Sequence, residues 1–262
     1  GLASVPSAFL NLCTRIPSMA DKESYRWLGS NAMMREWTGP RQAAPLYPET
    51  YDVASLKYEA TMEVDRTELE DDQTAQIGIR ARGLGIVAGT HKDKLLAALL
   101  VSNATSTFAY DATATHYYFV ATHPCRKTGA SMTNLSTSAA ATSTQPTTRE
   151  MADAIQSCIG VMRSLLNDQG EPIYVGSSGF QIIVPPVYEF PALEAVQASI
   201  VVNTSNVIQG IGTVVVNPWL TAVDRFYLAY TAGPIRPFIF QDRMPLDFVA
   251  LEGNSEHGFT ND

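Results

Sequence analysis

The sequence predicts an α+β protein, and three observations carry that prediction. Apolar and polar residues alternate over 56–64, which is the period of a half-buried strand. Thr67-Glu68-Leu69-Glu70 and Thr147-Thr148-Arg149-Glu150 are capping boxes, each of which opens a helix. Short β-branched runs at 182–184 and 214–216 end near prolines and predict buried strands.

The composition favours a protein whose surface is covered by copies of itself. Of 262 residues, 45% are hydrophobic, which allows a sizeable core, but only 17% are charged. Soluble domains usually carry roughly 25% charged residues, so a surface shared with identical neighbours is favoured. The alternative is an ordinary uncharged surface rich in Thr, Ser and Ala.

Charge and cysteine content exclude several classes of function. The net charge is −8 and Lys and Arg form no run, so binding of nucleic acid by counterion release is not predicted. Cys13, Cys125 and Cys158 form no Cys-x-x-Cys, which indicates neither a zinc site nor a disulfide framework and favours a reducing cytoplasm. The sequence predicts no membrane span and no signal peptide.

The first quarter of the chain predicts an arm followed by a projecting loop. Residues 1–24, interrupted by two prolines, predict an extended arm, and 25–37 a short apolar element. Prolines in 38–50 exclude a helix or a central strand. Together with the alternating strand they make 38–64 a two-stranded loop, which is barely stable alone and needs a neighbour to rest on.

A long helix is predicted after the first capping box. It runs from Thr67 to about Val101, which is roughly 54 Å at 1.5 Å per residue. Glycines between Gly78 and Gly89 each cost about 1 kcal/mol in a helix interior. We therefore expect a kink or a break among them.

The second half of the chain predicts a smaller α/β lobe. Residues 128–148, rich in Ser, Thr and Ala, predict a mobile loop. The second capping box opens a helix with an apolar stripe that ends by Gly170. A short helix at 191–199 and late strands at 226–230 and 238–240 complete the pattern.

No constellation of residues predicts catalysis. A metal site could be formed by His116, His123 and Asp111, but the sequence has no His-x-x-x-His pair and no His-Glu-x-x-His motif that would support zinc binding. Gly176-Ser177-Ser178-Gly179 lacks the Gly-x-Ser-x-Gly pattern of a nucleophile elbow. We predict no enzyme, no cofactor and no metal, with a hydrolase using His116, His123 and Asp111 as the alternative.

Nine residues are candidates for contacts between subunits. Large aromatic side chains on thin segments are typical interface anchors, with ordinary core packing as the alternative. Arginines can form bidentate pairs with carboxylates of a neighbour, with local surface ion pairs as the alternative. The candidates are Trp27, Arg35, Trp37, Arg41, Tyr58, Glu59, Glu63, Arg66 and Asp72.

Over roughly residues 20–262, a series of motifs in a fixed order resembles the Mu-like phage major head subunits. The motifs are Tyr25-Arg26-Trp27-Leu28-Gly29, Arg35-Glu36-Trp37-Thr38-Gly39-Pro40-Arg41, Tyr58-Glu59, Val64-Asp65-Arg66, Glu70-Asp71-Asp72, Phe119-Val120-Ala121-Thr122-His123-Pro124, Phe180-Gln181-Ile182-Ile183-Val184-Pro185-Pro186 and Pro237-Phe238-Ile239-Phe240-Gln241-Asp242-Arg243. The resemblance implies the Hong Kong 97-like capsid fold, with an extended β-hairpin loop, a peripheral domain with a long spine helix, and an axial α/β domain. The implied segments are 1–24 (N-terminal arm), 25–64 (extended loop region), 65–127 (peripheral domain), 128–148 (flexible loop), 149–215 (axial domain) and 216–262 (return to the peripheral domain).

The function implied by the resemblance is that of a major capsid protein. It would self-assemble in the host cytoplasm, as hexamers and pentamers, into the icosahedral shell of a virion that encloses double-stranded DNA. Implied partners are scaffold, portal and decoration proteins, with weak non-specific contact to the packaged DNA and no membrane. The alternative is the shell of a protein nanocompartment with the same fold.

Overall fold

The structure is a computed structural model that describes residues 9–28, 48–64, 76–102, 117–125, 128–137, 144–167, 170–233, 236–244 and 247. The strands in these residues are β1 (Cys13–Pro17), β2 (Lys22–Leu28), β3 (Pro48–Ala54), β4 (His123–Pro124), β5 (Ser131–Met132), β6 (Phe180–Val184), β7 (Ile200–Val201), β8 (Thr204–Ser205), β9 (Gly212–Val216), β10 (Tyr227–Tyr230) and β11 (Phe238–Asp242). The helices are α1 (Gln76–Ser102), α2 (Thr148–Ser164) and α3 (Glu189–Gln197), with 3-10 turns at Phe9–Leu12 and Pro186–Tyr188.

The central sheet has three strands in the order β10-β6-β9. Strand β6 runs parallel to β9 and antiparallel to β10, and all five of its residues are buried. A continuous apolar run is what a strand covered on both faces requires. Because β10 lies beyond residue 216, strands from both sides of the predicted boundary between 215 and 216 share this sheet.

Two core clusters lie on opposite faces of β6, because successive side chains of a strand point to opposite faces. Phe180 and Ile182 join the first cluster, which packs α2 and α3 against the sheet. Ile183 joins the second cluster, where it meets Leu96 of α1 and Leu12 of the N-terminal turn. The predicted strands at 182–184, 214–216, 226–230 and 238–240 correspond to β6, β9, β10 and β11.

Helix α2 begins where the sequence predicts it. The Thr147 hydroxyl accepts from the Glu150 amide at 3.3 Å, and the Glu150 carboxylate accepts from the Thr147 amide at 2.8 Å. Both halves of the capping box are therefore formed. The apolar stripe of the helix includes Met151, Ile155 and Ile159, which are all buried.

Helix α1 is continuous over its 27 described residues, so a break among the glycines is wrong, and a kink there stays a prediction. Its C-terminal half is held in the second core cluster by Leu96, Ala97 and Leu100. Tertiary packing of one face contributes more to a helix than intrinsic propensity does, which offsets the cost of the glycines. The described part of the helix runs to Ser102, next to the predicted end near Val101, and both the first capping box and residues 103–116 lie outside the described residues.

The strand predicted at 56–64 is wrong. Residues 55–64 form no strand, and the alternating side chains have no core to face, since Leu56 is 73% exposed and Tyr58 is 54% exposed. The strand lies earlier, at β3, where it pairs antiparallel with β2. Pro48 is tolerated because it opens a strand of a two-stranded ribbon.

The N-terminal segment has more regular structure than its lack of periodicity predicts. Strand β1 pairs in parallel with β11, and Arg15 forms an ion pair with Asp242 across this pair. Leu12 is fully buried beside it. Residues 9–17 are therefore part of the body of the molecule, a role that depends on a partner strand more than 200 residues away and so leaves no local pattern.

Candidate assembly surfaces

Strands β2 and β3 form a two-stranded hairpin, and none of its described residues belongs to either core cluster. The register pairs Lys22 with Ala54 at the base and Leu28 with Pro48 at the far end. Asp52 accepts from the Lys22 ammonium at 2.7 Å and from the Ser24 hydroxyl. An isolated two-stranded hairpin is marginally stable in water, so this ribbon depends on what its base and its outer part contact.

The base of the hairpin is a tight turn built around the Glu23 carboxylate. One carboxylate oxygen accepts from the Ser18 hydroxyl at 2.9 Å and from the amides of Met19 and Ala20 at 3.3 and 3.2 Å. These hydrogen bonds, that of Ser18 above all, together with the Arg243 charge, hold the pKa of Glu23 below its usual range. Bonds to the ionised form account for the direction of the shift.

The segment that follows the hairpin returns to the body along α1. The Tyr58 and His91 rings meet edge to face, with their centroids 4.5 Å apart. Glu59 and Glu63 are exposed, and neither has an ion-pair partner among the residues that the structure describes. This segment therefore presents a row of unpaired acidic and apolar groups beside one aromatic contact.

The long helix carries an exposed apolar face in its N-terminal half. Ile79 is 62% exposed, and Ile86 and Val87, which lie seven and eight residues later, are 54% and 58% exposed. Residues seven and eight apart share one face of an α-helix. An apolar stripe left open on a helix is typical of a surface that another chain covers.

A second exposed apolar region lies in the lobe formed by α3 and the β7–β8 hairpin. Phe190 is 77% exposed, Ile200 65% and Val202 69%. Val202 and Asn203 form the turn of the β7–β8 hairpin with φ values of 47° and 59°. A β-branched residue at positive φ is a genuine conformational outlier, so this turn holds a valine where glycine or asparagine would be less strained.

The described residues do not assemble a catalytic or metal-binding site. No cluster of three His, Cys, Asp or Glu side chains within the described ranges could hold a metal ion. Burial, followed by the Asp93 charge, raises the pKa of Cys13 to about 11, and burial raises the pKa of Cys158, so both thiols stay protonated at neutral pH. Buried His123 contacts the Tyr118 carbonyl through Nε2 at 3.0 Å, whereas His116 and Asp111 lie outside the described residues.

A shallow groove separates α1 from β11. Its volume is about 120 Å³, and Leu95, Leu99 and Phe238 are among the side chains that line it. Sites for small molecules usually have volumes of about 300–1,000 Å³, so this groove is too small to be one. None of the helices in the described part of the chain is long and apolar enough to cross a membrane.

The structure places four of the nine candidate contact residues. Trp27 lies on β2 opposite Glu49, Tyr58 contacts His91, and Glu59 and Glu63 lie on the returning segment. The candidates outside the described residues are Arg35, Trp37, Arg41, Arg66 and Asp72. Sequence reasoning missed the exposed faces of α1 and α3, since exposure of an apolar residue depends on which neighbours the fold supplies.

Comparison with known proteins gives one family and one fold. The family "Mu-like prophage major head subunit gpT" matches residues 1–149. The chain is 30% identical over 124 residues to the Mu-like prophage FluMu major head subunit of Haemophilus influenzae, and 27% identical over 105 residues to the major capsid protein of Escherichia phage Mu. These matches cover 47% and 40% of this chain, and 39% and 34% of the relatives. The chain thus spans between a third and two fifths of the length of the curated relatives it matches.

Solved structures of the bacteriophage JBD30 capsid resemble the fold. The capsid chain aligns with a TM-score of 0.63 at 20% identity and covers 84% of this chain and 93% of that chain. The capsid decorated with minor capsid protein trimers aligns with a TM-score of 0.62 at 22% identity, covering 84% and 92% of the two chains, and the procapsid with a TM-score of 0.58 at 23% identity, covering 84% and 93%. The architecture is therefore the α+β fold of phage capsids.

Proposed function

The chain belongs to the Mu-like prophage major head subunit family, and on that premise we propose that it assembles with copies of itself into the shell of a phage head. The observation that carries this proposal is the extension formed by β2, β3 and 55–64. None of its described residues joins either core cluster, and Leu56 and Tyr58 on it are more than half exposed. Large apolar side chains on such a segment are used when a second chain covers them.

The Hong Kong 97-like division of the chain is part of the proposal. The hairpin begins at Lys22, three residues before the proposed extended loop region of 25–64, and the rest of its described residues lie within that region. Helix α1 is the proposed spine of the peripheral domain, 65–127. Helix α3, β6 and nearly all of α2 and β9 lie in the proposed axial domain, 149–215, whereas β10 of the same sheet lies in the proposed return at 216–262. The remaining proposed segments are the arm at 1–24, of which residues 9–17 pack on the body and Lys22 begins β2, the loop at 128–148 and the return at 216–262.

The proposed contacts between subunits are aromatic and ionic. Trp27, Trp37 and Tyr58 would anchor the extended loop on a neighbour. Arginines of one copy would pair with the carboxylates of another, and unpaired Glu59 and Glu63 are available acceptors. The residues assigned to these ionic contacts are Arg35, Arg41, Arg66, Glu59, Glu63 and Asp72. Bidentate pairs of this kind add geometric specificity as well as energy.

The proposed assembly is an icosahedral shell of hexamers and pentamers, formed in the host cytoplasm and retained in the virion. Scaffold and portal proteins are its proposed partners. A minor capsid protein decorates the JBD30 capsid as trimers, and a decoration protein on the outside of this shell is proposed by analogy. The net charge of −8 would keep packaged DNA from adhering to the shell.

The test is electron microscopy of the full chain expressed alone, with light scattering to measure mass. We expect hexamers, pentamers, tubes or polyhedral shells of uniform curvature. A particle that contains DNA after packaging, and no enzyme cargo, would distinguish a phage head from a nanocompartment. A species that stays at 28.5 kDa across concentration and salt, with and without a scaffold protein, would contradict the proposal.

A further inference from the structure

The two chain segments at the base of the hairpin, one before β2 and one after β3, are joined by a closed ring of hydrogen bonds. The Gln241 side-chain amide donates to the Ser18 hydroxyl at 2.9 Å and to the Ser55 hydroxyl at 3.1 Å. Both hydroxyls in turn lie within reach of the Ala20 carbonyl, at 3.1 and 3.4 Å. Ser18 precedes β2 and Ser55 follows β3, so one amide group holds both chains of the ribbon at the same point. We propose that Gln241 is the latch of a hinge that sets the tilt of the hairpin relative to the body.

Further contacts join the same base to the end of β11. The Ser18 amide donates to the Asp242 carbonyl at 3.1 Å, and Arg243 pairs with Asp21 at 2.7 Å. Within the hairpin base itself, the Ser55 amide donates to the Asp21 carbonyl at 2.8 Å. Gln241, Asp242 and Arg243 are consecutive, so the contacts between the hairpin base and β11 all lie on three residues. A hairpin attached at one short stretch of chain can rotate about it, and we call residues 241–243 the pivot.

The pivot is fixed to the spine helix by aromatic residues of β11. Phe238 packs in the second core cluster with Leu96 and Leu100 of α1. The Lys92 ammonium of α1 lies 5.3 Å from the centre of the Phe240 ring. Side chains at 238 and 240 face away from that at 241, because successive residues of a strand alternate between faces. One face of strand β11 therefore packs against the helix, and the other face forms hydrogen bonds with the hairpin base.

The latch has more acceptors than hydrogens, which allows it to exchange bonds as the hairpin tilts. The Ser18 hydroxyl has one hydrogen but two acceptors in range, the Ala20 carbonyl and the Glu23 carboxylate. Gln241 Oε1 is buried and has no partner among the described residues, and the same holds for the Tyr25 hydroxyl on β2. Buried polar atoms that lack a partner are costly and call for a reason. Here an arrangement in which the Gln241 amide turns over, so that Oε1 accepts from a serine hydroxyl, would satisfy it.

The need for more than one tilt rests on the proposed function. In a closed shell with both five-fold and six-fold positions, identical chains meet their neighbours at different angles. A rigid hairpin fits only one of these angles, whereas a freely swinging one gives no control over curvature. A latch that exchanges one set of hydrogen bonds for another permits a small number of defined tilts.

The test compares Gln241→Ala with Gln209→Ala, a matched control. Gln209 is exposed and donates one side-chain bond, to the Gln197 carbonyl at 3.2 Å, away from the hairpin. In the unassembled chain we expect Gln241→Ala to speed amide hydrogen exchange in 18–28 and 48–55 on the order of tenfold, since both side-chain hydrogen bonds that tie the hairpin base to β11 are lost. Exchange in Phe180–Val184 should be unchanged, and Gln209→Ala should match the natural chain throughout.

The assembled particles provide the second readout. Gln241→Ala shells should show a broader range of diameters and hairpin tilts than shells of the natural chain or of Gln209→Ala. If Gln241→Ala does not fold, Ser55→Ala removes one arm of the ring and should give the same changes, reduced in size. Unchanged exchange at the hairpin base, or faster exchange with an unchanged range of diameters, would overturn the latch. Failure of the natural chain to form any shell would instead refute the proposed function, which the exchange measurement does not depend on.

Discussion

The Tyr58 ring lies edge to face against His91, with an angle of 63° between their planes. This contact joins the segment after the hairpin to the middle of the long helix. The hairpin is thus held at two places, its base near residues 18–23 and its returning segment at residue 58. The two contacts involve different residues, so each can be weakened separately.

The Tyr58 contact gives the first prediction. Tyr58→Ala removes an aromatic pair that is worth about 0.5–1.5 kcal/mol, and Tyr58→Phe retains the ring as a control. We expect Tyr58→Ala to leave the core folded, to lower the free energy of unfolding by no more than this amount, and to reduce assembly measured by light scattering. Equal assembly by the alanine and phenylalanine variants would contradict the role of the ring.

Two phenylalanines separate folding from assembly. Phe180 is 1% exposed and lies 5.4 Å from the Tyr230 ring between centroids, whereas Phe190 is 77% exposed. Phe180→Ala should lower the free energy of unfolding by about 3–5 kcal/mol, which is the usual cost of truncating a buried aromatic residue. Phe190→Ala should cost less than about 0.5 kcal/mol, as surface substitutions do, and should weaken assembly. Chemical denaturation and light scattering would measure both effects, and a stable Phe180→Ala protein would show that the first cluster is not the core.

Gly212 is required by the close approach of two strands. A Cβ atom at this position would lie 2.3 Å from the Phe180 carbonyl oxygen, which is main chain and cannot move aside. Gly212→Ala should therefore lower the free energy of unfolding by about 1–3 kcal/mol. Gly160 on α2 has open space around it, so Gly160→Ala should stabilise by about 0.5–1 kcal/mol. Denaturation midpoints that moved in the same direction for both variants would contradict this account.

The Glu23 carboxylate predicts a loss of stability in acid. Its pKa is lowered from an ordinary value of 4.5 by the bonds from Ser18 and Ala20, so the unfolded chain binds a proton at a higher pH than the folded chain does. Stability from this group is present above pH 4.5 and is lost as the pH falls through the lower folded pKa. The natural chain should therefore lose more stability than Glu23→Gln between pH 7 and a pH below the folded pKa.

The control for that measurement is Glu171→Gln. The Glu171 side chain is exposed and lies far along the chain from the hairpin base. Thermal unfolding of the three proteins at the two pH values isolates the contribution of Glu23. An acid-induced loss in Glu23→Gln equal to that of the natural chain would show that other carboxylates are responsible.

The outer part of the proposed extended loop gives the last prediction. Trp37→Ala combined with Arg41→Ala removes an aromatic anchor and a cation from the sequence motif of the family. We expect a folded chain that fails to assemble, because interface energy is concentrated in a few aromatic and arginine residues. Circular dichroism would establish the fold and electron microscopy the assembly, and unchanged shells would remove these residues from the interface.

Features encoded by adjacent residues were predicted correctly from the sequence. The capping box at Thr147 and Glu150 fixes the start of α2, since both partners lie within one turn. The β-branched run at β6 predicts a strand covered on both faces. The resemblance carried by motifs at 25–72 is confirmed by the family match over 1–149.

Features that depend on distant partners could not be predicted. The alternation at 56–64 suggests a strand, but pairing is decided by β2, whose register places the partner strand eight residues earlier. Gln241 follows an apolar run, and nothing in that run indicates that its amide meets Ser18 and Ser55. Helix propensity alone predicts a break in α1 at its glycines. The packing of Leu96 and Leu100 in the second core cluster stabilises the helix, but it is not visible in the sequence of the helix.

The parallel pairing of β1 with β11 has a consequence for the order of events during synthesis. Ser55 leaves the ribosome 186 residues before Gln241, an interval of roughly 10–40 seconds at usual rates of translation. Throughout that interval the hairpin base lacks the stretch that holds it, and β1 lacks its partner strand. Neighbouring nascent chains on one messenger RNA therefore cannot join through properly set hairpins until residues 241–243 of each chain have been synthesised.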